Sequence, residues 1–410
     1  MHDTSRYAVG IDLGTTMVRC VVGHVDATTG VPTIIGVAEI PNSGMRKGTV
    51  VNLSGPAQAI DTALGEAERM SGHQVDEATA SINGSHILST TTDGMVAVGG
   101  ADHEINEEDV ARIEEVATLG KVPANRVVVQ VVPHSYRLDG QDNIRDPRGM
   151  TGTRLEVSAN VVSVMAPHMT SLEKTLEMAS VKPRSIVPAV LAAGRAVLSE
   201  QQLEHGVAVV DMGGATTSVA VYEEGDLQYT AVIPIGGVNI TNDLAIGLKT
   251  DPAVADKVKL SHAVASGRKE ASEVSVTHEK QTFTFSTDDI DEIVGARLEE
   301  IFESVAKELK KAGRAGKLPS GVVLTGGSAN IKGISDYAKE SLGLAARVGK
   351  AAGYGGVAEN IEAPQFATAV GLMLLDSENY QTAGHAKAPG GAIMKDAGGI
   401  FKSIINKFKI

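Results

Sequence analysis

The sequence has few of the residues that mark secreted or membrane-spanning proteins. It contains a single cysteine, Cys20, so no disulfide framework can form. It opens with no hydrophobic segment, and no apolar run is long enough to span a bilayer. Tryptophan is absent, and aromatic residues make up only 3% of the chain. We therefore expect a cytoplasmic protein with an aliphatic core, in which Cys20 is a small buried residue.

Negative charge predominates, and it is unevenly distributed. The net charge at pH 7 is −13. Residues 386–410 carry five lysines against one aspartate, a net of +4, which leaves −17 on the rest of the chain. An acidic body argues against nucleic acid as the main partner. At 410 residues, the chain is long enough for two or more domains.

One stretch carries the residue types of a phosphate site. Asp211-Met-Gly-Gly-Ala-Thr-Thr217 lies between two apolar runs, 207–210 and 218–222, which predicts a β-hairpin with a Gly-rich turn. Glycine lets backbone N–H groups approach a ligand closely, and threonine adds hydroxyl donors. The Asp211 carboxylate would repel a bare phosphate, so the pattern calls for a cation between them, usually Mg²⁺. Taken alone, this turn is explained equally well as an ordinary Gly-rich hairpin.

A second copy of the pattern lies near the N-terminus. Asp12-Leu-Gly-Thr-Thr16 also ends one apolar strand and precedes another, 17–22. Farther on, Gly321-Val-Val-Leu-Thr-Gly-Gly-Ser328 leads a strand directly into a helix, and its paired glycines would let an adenine ring or a phosphate lie against the backbone. Strands that alternate with helices predict an α/β core. Two like hairpins in the two halves of the chain predict duplicated domains that close on one nucleotide.

The remaining patterns divide the chain into domains. A small α+β subdomain without catalytic signatures is predicted to be inserted in the first half, and the apolar pattern is lost from Asp376 onward, which predicts a flexible linker. The predicted parts are a first domain (1–85, 166–198 and 363–380), the inserted subdomain (86–165), a second domain (199–228 and 303–362), its small subdomain (229–302), a linker (381–397) and a terminal helix (398–410).

The last residues predict a membrane-binding helix. With about 100° of rotation per residue, the apolar and basic residues separate onto two faces. The apolar face carries Ile400, Phe401, Ile404, Ile405 and Phe408, and the opposite side carries Lys402, Lys407 and Lys409. A basic amphipathic helix of this kind lies in an anionic membrane surface. The alternative is a helix that docks on the body of the protein. Because a single copy would bind marginally, we expect the body to self-associate and bind by avidity.

In this order, the three Gly-containing turns resemble the nucleotide-binding fold shared by actin, the heat-shock ATPases and the sugar kinases. With Ile235-Gly-Gly-Val-Asn239, Ala255-Asp-Lys-Val-Lys259 and the terminal helix, the whole chain resembles the FtsA family of bacterial cell-division proteins. The resemblance implies an actin-like ATPase fold of class α/β. It would have two duplicated domains around a cleft for ATP and Mg²⁺, an inserted α+β subdomain and a C-terminal amphipathic helix.

The resemblance also implies roles for individual residues. Asp12 and Asp211 would face Mg²⁺ through water. The phosphates would be held by Gly14, Thr15, Thr16, Gly213, Gly214, Ala215, Thr216 and Thr217. The adenosine would be lined by Gly236, Gly237, Asp256, Lys259, Gly326, Gly327 and Ser328, and Asp256 stands where relatives carry the longer glutamate. Arg195 stands at the position of a water-orienting glutamine, so we expect ATP binding with slow or no hydrolysis.

The role of the family implies the partners. It tethers FtsZ filaments to the cytoplasmic membrane at the division septum, polymerises and recruits later division proteins. The FtsZ C-terminal peptide would dock on residues 229–300, with Arg297 as the candidate contact. The alternative for Arg297 is a solvated charge on a helix face.

Other proteins of the same superfold provide the competing interpretations. A sugar or acetate kinase would need a substrate-activating carboxylate in the cleft, for which the sequence offers no clear candidate. A heat-shock chaperone would need a peptide-binding domain after Leu375, where none fits. A pilus-assembly ATPase, which works through protein contacts, is the third alternative.

Overall fold

In the computed structural model, residues 6–26, 28–100, 102–268, 270–356 and 361–385 are described, and they form mixed sheets covered by helices. The strands are β1 (Arg6–Leu13), β2 (Met17–Val25), β3 (Pro32–Pro41), β4 (Met45–Arg46), β5 (Thr49–Val50), β6 (Glu77–Ile82), β7 (Leu88–Ala97), β8 (Arg126–Leu138), β9 (Gln141–Ile144), β10 (Arg154–Met165), β11 (Lys182–Pro188), β12 (Val207–Met212), β13 (Thr217–Glu223), β14 (Asp226–Ile233), β15 (Glu273–His278), β16 (Gln281–Ser286), β17 (Val322–Thr325) and β18 (Ala346–Val348). The helices are α1 (Ser54–Ser71), α2 (Glu107–Thr118), α3 (Ala166–Met178), α4 (Ala189–Val197), α5 (Glu200–His205), α6 (Gly237–Gly247), α7 (Pro252–His262), α8 (Thr287–Lys311), α9 (Ile334–Leu342) and α10 (Ala367–His385).

Two five-stranded sheets with the same strand order form the two domains. Domain I has the order β3-β2-β1-β6-β11, and domain II has the order β14-β13-β12-β17-β18. In each sheet, the first strand pairs with an antiparallel hairpin partner on one side and with a parallel strand on the other. The equivalent order confirms the predicted duplication. It places Asp12 and Asp211 at equivalent positions, near the carboxyl ends of β1 and β12.

The sequence explains where two of the helices end and how they pack. Helix α1 carries Pro56 in its first turn and ends at Gly72, which adopts φ 69°. Its small residues lie against β2 and β3. Helix α8 buries an apolar row, including Ile290, Val294 and Leu298, in the core of domain II. This burial of one face is what makes a 25-residue amphipathic helix stable.

The inserted α+β subdomain has its own core. Its sheet has the order β7-β10-β8-β9, and α2 covers one face. Asn106 caps the start of helix α2, since its side chain accepts hydrogen bonds from the N–H groups of Glu108 and Asp109. The strands β7, β8 and β10 also pack against β14, so the subdomain touches domain II as well as domain I.

Two helices cross between the domains and contact each other. Helix α4 leads out of domain I, and α10 returns to it. A Cβ atom on Gly371 of α10 would lie 1.7 Å from the carbonyl oxygen of Ala192 on α4, so only glycine allows this close crossing.

The interpretation of Asp376 onward as a linker is wrong up to His385. Helix α10 continues to His385, and Asp376 is fully buried within it. The rest of the predicted linker and the predicted terminal helix lie outside the described residues. Within the ranges described, no helix is long and apolar enough to cross a membrane.

Candidate nucleotide-binding site

The two predicted hairpin turns face each other. In domain I, the turn Gly14–Thr16 joins β1 to β2, and in domain II the turn Gly213–Thr216 joins β12 to β13. A Cβ atom on Gly214 would lie 2.6 Å from the hydroxyl oxygen of Thr16. Glycine is therefore what allows the two turns to approach this closely.

Each turn is held from behind by a neighbouring segment. Asn42 Nδ2 donates to the carbonyl oxygen of Gly14 at 2.7 Å. Helix α6 begins directly against the other turn, where Gly237 N–H donates to the carbonyl oxygen of Gly213 at 3.0 Å. These bonds fix the conformation of each turn, which preorganises the site.

Two carboxylates lie at the base of the turns. Asp12 and Asp211 are 9% and 8% exposed. Ser81 Oγ donates to Asp12 Oδ1 at 2.9 Å, and Thr325 Oγ1 donates to Asp211 Oδ1 at 3.5 Å. Burial raises the pKa of both carboxyl groups, and the charge of Asp12 raises the pKa of Asp211 further. A divalent cation would stabilise two such acids in their charged form.

A cation that the sequence analysis did not single out lies beside these carboxylates. Arg19 is the cross-strand partner of Asp12, and its Nη1 lies 3.9 Å from Asp12 Oδ2. Its Nη2 lies 2.6 Å from Glu39 Oε1 on the next strand. The signal is present in the sequence, because residues equally distant from a hairpin turn share one face of the sheet. Asp12 and Arg19 are such a pair.

The third Gly-containing turn closes over Asp211. Gly326 adopts φ 84°, and a Cβ atom there would lie 2.4 Å from Asp211 Oδ1. The Ser328 hydroxyl donates to the carbonyl oxygen of Gly213 at 3.4 Å. This glycine is required by both its backbone conformation and the approach of the carboxylate, which explains why a Gly-Gly pair follows β17.

A hydrogen-bonded cluster of Lys259, Asp256 and Thr241 forms another part of the site. Lys259 Nζ donates to Asp256 Oδ1 at 2.6 Å and to Thr241 Oγ1 at 2.7 Å. Thr241 Oγ1 in turn donates to Asp256 Oδ1 at 2.9 Å. Although Asp256 is one methylene shorter than the glutamate of relatives, it reaches Lys259. The two side chains present a polar edge of the kind that a ribose hydroxyl can meet.

The two turns, both carboxylates, Arg19, Asp256 and Lys259 line one cavity of about 500 Å³, a size typical of small-ligand sites. Of the predicted residues, its walls include Asp12, Gly14, Thr15, Thr16, Asp211, Gly213, Gly214, Thr216, Gly237, Asp256, Lys259, Gly326, Gly327 and Ser328. The walls also include residues that the sequence analysis did not name, among them Arg19, Glu39, Asn83, Ala189, Asn330 and Gln365. Of these, Asn330 ends the third Gly-containing turn, whereas Asn83 and Gln365 lie in no local motif and are brought to the cavity by tertiary packing.

Three predicted residues, Ala215, Thr217 and Gly236, are not part of the cavity wall. Thr217 is fully buried, and its hydroxyl donates to the carbonyl oxygen of Ile235 at 2.9 Å. A Cβ atom on Gly236 would lie 2.6 Å from the carbonyl oxygen of Gly213. These residues therefore shape the turn from behind.

Arg195, expected at the position of a water-orienting glutamine, does not face the cavity. Arg195 Nη2 lies 2.6 Å from Glu378 on α10, and Arg195 is absent from the cavity walls. The residue of α4 that lines the cavity is Ala189, at the first position of the helix. Arg195 thus joins the two crossing helices.

Arg297 lies on α8, outside the cavity, and is held by two acids. Its Nε and Nη2 donate to the Asp243 carboxylate on α6 at 2.6 and 3.0 Å, and its Nη1 donates to Glu300. These acids raise the pKa of Arg297 further above its usual value.

Comparison with known proteins gives the family. A family model described as "Cell division protein FtsA" matches residues 208–371, and one described as "SHS2 domain inserted in FTSA" matches residues 84–163. The cell division protein FtsA of Bacillus subtilis is 37% identical over 404 residues, which cover 97% of this chain and 90% of that protein. The chain belongs to the FtsA family of cell division proteins. FtsA of Pseudomonas aeruginosa, at 33% identity, covers 90% of the chain, and FtsA of Escherichia coli K12, at 30%, covers 92%.

Solved structures confirm the predicted actin-like fold. The PilM–PilN type IV pilus biogenesis complex matches with a TM-score of 0.65 and 17% identity, over 90% of this chain and 98% of that one. MreB5 of Spiroplasma citri bound to ADP matches with a TM-score of 0.55 and 12% identity, over 92% and 98%. Within this fold, FtsA membership assigns the chain to cell division and does not favour the kinase and pilus-assembly alternatives.

Proposed function

We propose that the protein binds ATP with Mg²⁺ between its two domains, polymerises, and tethers FtsZ filaments to the cytoplasmic face of the cell membrane at the division septum. In this role, it recruits later division proteins. The observation that carries the proposal is the convergence of two Gly-Thr turns and two buried carboxylates, Asp12 and Asp211, on one cavity.

The donor set fits Mg²⁺ and phosphates. Carboxylate and hydroxyl oxygens are the ligands that Mg²⁺ prefers, and Asp12 and Asp211 would hold it through water. Bound there, the ion would neutralise phosphate charge next to the two acids. The glycines of both turns leave space for phosphate oxygens, and Arg19 supplies a second positive charge on the same wall.

The nucleotide is proposed to act as a structural ligand that is hydrolysed slowly or not at all. On α4, the residue facing the cavity is Ala189, whose side chain can neither orient water nor accept a proton. The one arginine of that helix, Arg195, is engaged with Glu378. Both observations support binding that sets the angle between the domains.

Nucleotide binding is tested by titrating fluorescent ATP into the full-length protein with Mg²⁺ or with EDTA. We expect Mg²⁺ to tighten binding, and Asp211→Asn to abolish that dependence, because one of the two carboxylates is gone. Asp61→Asn, an exposed carboxylate on α1, is the matched control and should behave as wild type. The proposal would be overturned by absence of binding, or by equal binding with Mg²⁺ and EDTA in the wild type.

The FtsZ peptide is proposed to dock where α6 and α8 meet. Ile246, three residues after Asp243 on α6, is 77% exposed, so an apolar side chain lies near the Arg297–Asp243 pair. An apolar contact beside an arginine is typical of a peptide-binding surface. In fluorescence anisotropy with an FtsZ C-terminal peptide, Ile246→Asp and Arg297→Ala should each weaken binding about tenfold or more, the loss of one anchoring contact. Lys310 is an exposed cation at the end of α8, and Lys310→Ala should leave the peptide affinity unchanged. If Ile246→Asp and Arg297→Ala bound the peptide as tightly as Lys310→Ala, this docking site would be refuted.

The membrane contact is proposed to come from residues 398–410, on the sequence pattern alone. Co-sedimentation with liposomes of anionic and of neutral lipid compares the full-length chain with a truncation after Ala397. We expect the full chain to pellet with anionic liposomes, more strongly when ATP promotes self-association, and the truncation to stay in solution. Equal pelleting of the two proteins would disprove the role of this segment.

A further inference from the structure

Asn83 lies where the nucleotide cavity, domain II and the inserted subdomain meet. It directly follows β6 of domain I and lines the cavity. Its Nδ2 donates to Thr216 Oγ1 at 3.2 Å, and the Ser218 hydroxyl donates to its Oδ1 at 3.2 Å. One side chain of domain I is thus held by two residues of the domain II hairpin. Its hydrogen bonds therefore depend on the distance between the two domains.

The same side chain also fixes the start of the inserted subdomain. Asn83 Oδ1 accepts a hydrogen bond from Gly84 N–H at 2.8 Å. His86 Nε2 lies 3.0 Å from the Asn83 carbonyl oxygen, and the His86 ring stacks on His168 at 4.2 Å. Burial, with His168 and Arg126 nearby, lowers the pKa of His86 to about 4, so the ring is neutral at physiological pH and donates Nε2–H to that carbonyl.

The Arg126 guanidinium hydrogen-bonds to two other chain segments at the base of the subdomain. Arg126, the first residue of β8, donates through Nη2 to the carbonyl oxygens of His86 and Ser163, the latter at 2.8 Å. Its Nε donates to Ser163 Oγ at 2.9 Å. The entering segment, β8 and the end of β10 are therefore joined at one point. A displacement of the segment 83–86 is transmitted to the whole subdomain.

The subdomain is braced against domain II at a second place. Asn160 of β10 is fully buried, and its Nδ2 donates to the carbonyl oxygen of Leu227 on β14 at 3.1 Å. Ser89 Oγ donates to Asn160 Oδ1 at 2.7 Å. A surface ion pair adds a further contact, since Arg145 Nη2 of the subdomain lies 2.8 Å from Glu204 on α5. The subdomain is thus rooted in domain I and supported on domain II. It cannot keep both sets of contacts if the angle between the domains changes.

We propose that Asn83 is a positioning residue that couples the nucleotide cavity to the orientation of the inserted subdomain. When a nucleotide draws the Gly213–Thr216 turn towards the Gly14–Thr16 turn, Thr216 and Ser218 displace Asn83, and the subdomain rotates relative to domain I. The inserted subdomain then presents a different surface to partners in the nucleotide-bound and nucleotide-free protein. The inference rests on the nucleotide binding proposed above.

Spin-label distances on the full-length protein test the coupling. Cys20 is buried, and burial raises the pKa of its thiol to about 12, so labels attach to introduced cysteines. The pair Asp61→Cys and Glu115→Cys joins exposed positions on α1 and α2, and reports the subdomain relative to domain I. The pair Asp61→Cys and Lys310→Cys joins α1 to α8, and reports closure of the two domains. Fluorescent ATP measures binding separately.

We expect ATP with Mg²⁺ to shift both distances in the wild-type background. Ser218→Ala removes one bond to Asn83 without touching the cavity wall, so nucleotide affinity should change by about fivefold or less, the value of one neutral hydrogen bond. Domain closure should persist in this variant, and the subdomain shift should shrink or vanish. Asn83→Ala should abolish the subdomain shift, and Asn242→Ala, an exposed amide on α6, should keep both shifts.

Several outcomes would overturn the coupling. One is a wild-type protein that binds ATP and closes without any shift of the subdomain. Another is a full shift in both Ser218→Ala and Asn83→Ala. If Asn83→Ala fails to fold or to bind, Ser218→Ala decides the question. A wild-type protein that binds no ATP would refute the nucleotide itself, and the coupling with it, and the binding assay identifies that case.

Discussion

Asp376 separates two interpretations of the end of the chain. A flexible linker from this residue onward would make its side chain dispensable. In the structure, its carboxylate is fully buried on α10 and accepts three hydrogen bonds. Val9 N–H on β1 donates to Oδ2 at 2.9 Å, Thr79 Oγ1 on β6 donates to Oδ1 at 2.7 Å, and Arg184 Nη1 donates to Oδ2. The carboxylate thus ties α10 to three neighbouring strands of domain I.

The cost of Asp376→Ala can be worked out from these partners. Val9 N–H is buried and would lose its acceptor, at about 1–3 kcal/mol. The buried Thr79 hydroxyl loses less, because Ser185 Oγ lies 2.9 Å away and can accept its hydrogen bond. Arg184 retains Glu77, whose carboxylate lies 3.4 Å away, so its loss is smaller. Burial raises the pKa of Asp376, so removing the carboxylate also recovers part of the free energy that its burial costs. The balance is a loss of about 3 kcal/mol, at the lower end of the range measured when one partner of a buried ion pair is deleted.

Thermal unfolding measures this loss directly. At about 2–4 °C per kcal/mol for a domain of this size, Asp376→Ala should lower the melting temperature of domain I by roughly 10 °C. Asp376→Asn keeps an acceptor but loses the charge, so its melting temperature should lie between those of the wild type and Asp376→Ala. Asp61→Ala, on the exposed face of α1, should melt with the wild type. If Asp376→Ala also melted with the wild type, the buried network would be refuted and the linker interpretation restored.

Three further predictions concern the site and its surroundings. Because His86 has a native pKa of about 4 against an ordinary 6.5, protonation favours the unfolded chain, so its contribution to stability falls as the pH drops from 6.5 to 4. The loss should be about 1–2 kcal/mol, less than the full shift would give, because the ring is partly exposed to solvent. Urea unfolding should show the advantage of wild type over His86→Gln shrinking across that range, and a constant difference would contradict it. Gly371→Ala should lose about 3 kcal/mol in the same assay because its Cβ meets the α4 backbone, whereas Gly295→Ala, a helical glycine with open space, should gain up to about 1 kcal/mol. Arg19→Met should weaken ATP binding about tenfold or more with adenosine binding unchanged, as expected for a lost charge-assisted contact to phosphate, and equal losses for both ligands would refute that role.

The three turns could be predicted because each is specified locally. An apolar strand followed by an acid and a Gly-Thr turn needs no distant residue to define its conformation. The cross-strand position of Arg19 opposite Asp12 could also have been derived, since hairpin register follows from the turn. Asn83, by contrast, is brought to the cavity by the parallel pairing of β6 with β1, which no local pattern encodes.

The errors on the crossing helices have physical causes. The family resemblance assigns Arg195 the position of a water-orienting glutamine, but Arg195 lies six residues after Ala189, about 240° of helical rotation, and is paired with Glu378 away from the cavity. On α10, apolar periodicity ends at Leu375 because the next residue, Asp376, is a buried carboxylate. Periodicity registers apolar burial, so a helix held by a satisfied polar network gives no such signal.

The proposed membrane and FtsZ contacts lie on different domains, so force between them would act across the nucleotide cavity. Helix α10 is bound to domain I through Asp376, and the chain after it leads to the proposed membrane segment, so tension from the membrane would act on domain I. The proposed FtsZ contact at Arg297 lies on α8, which packs into the core of domain II. A load between membrane and filament would therefore act across the cavity and the crossing at Gly371. The nucleotide can shift the angle between the domains only if it binds one angle more tightly than the other. A load that favours one angle would therefore change the affinity for the nucleotide in return.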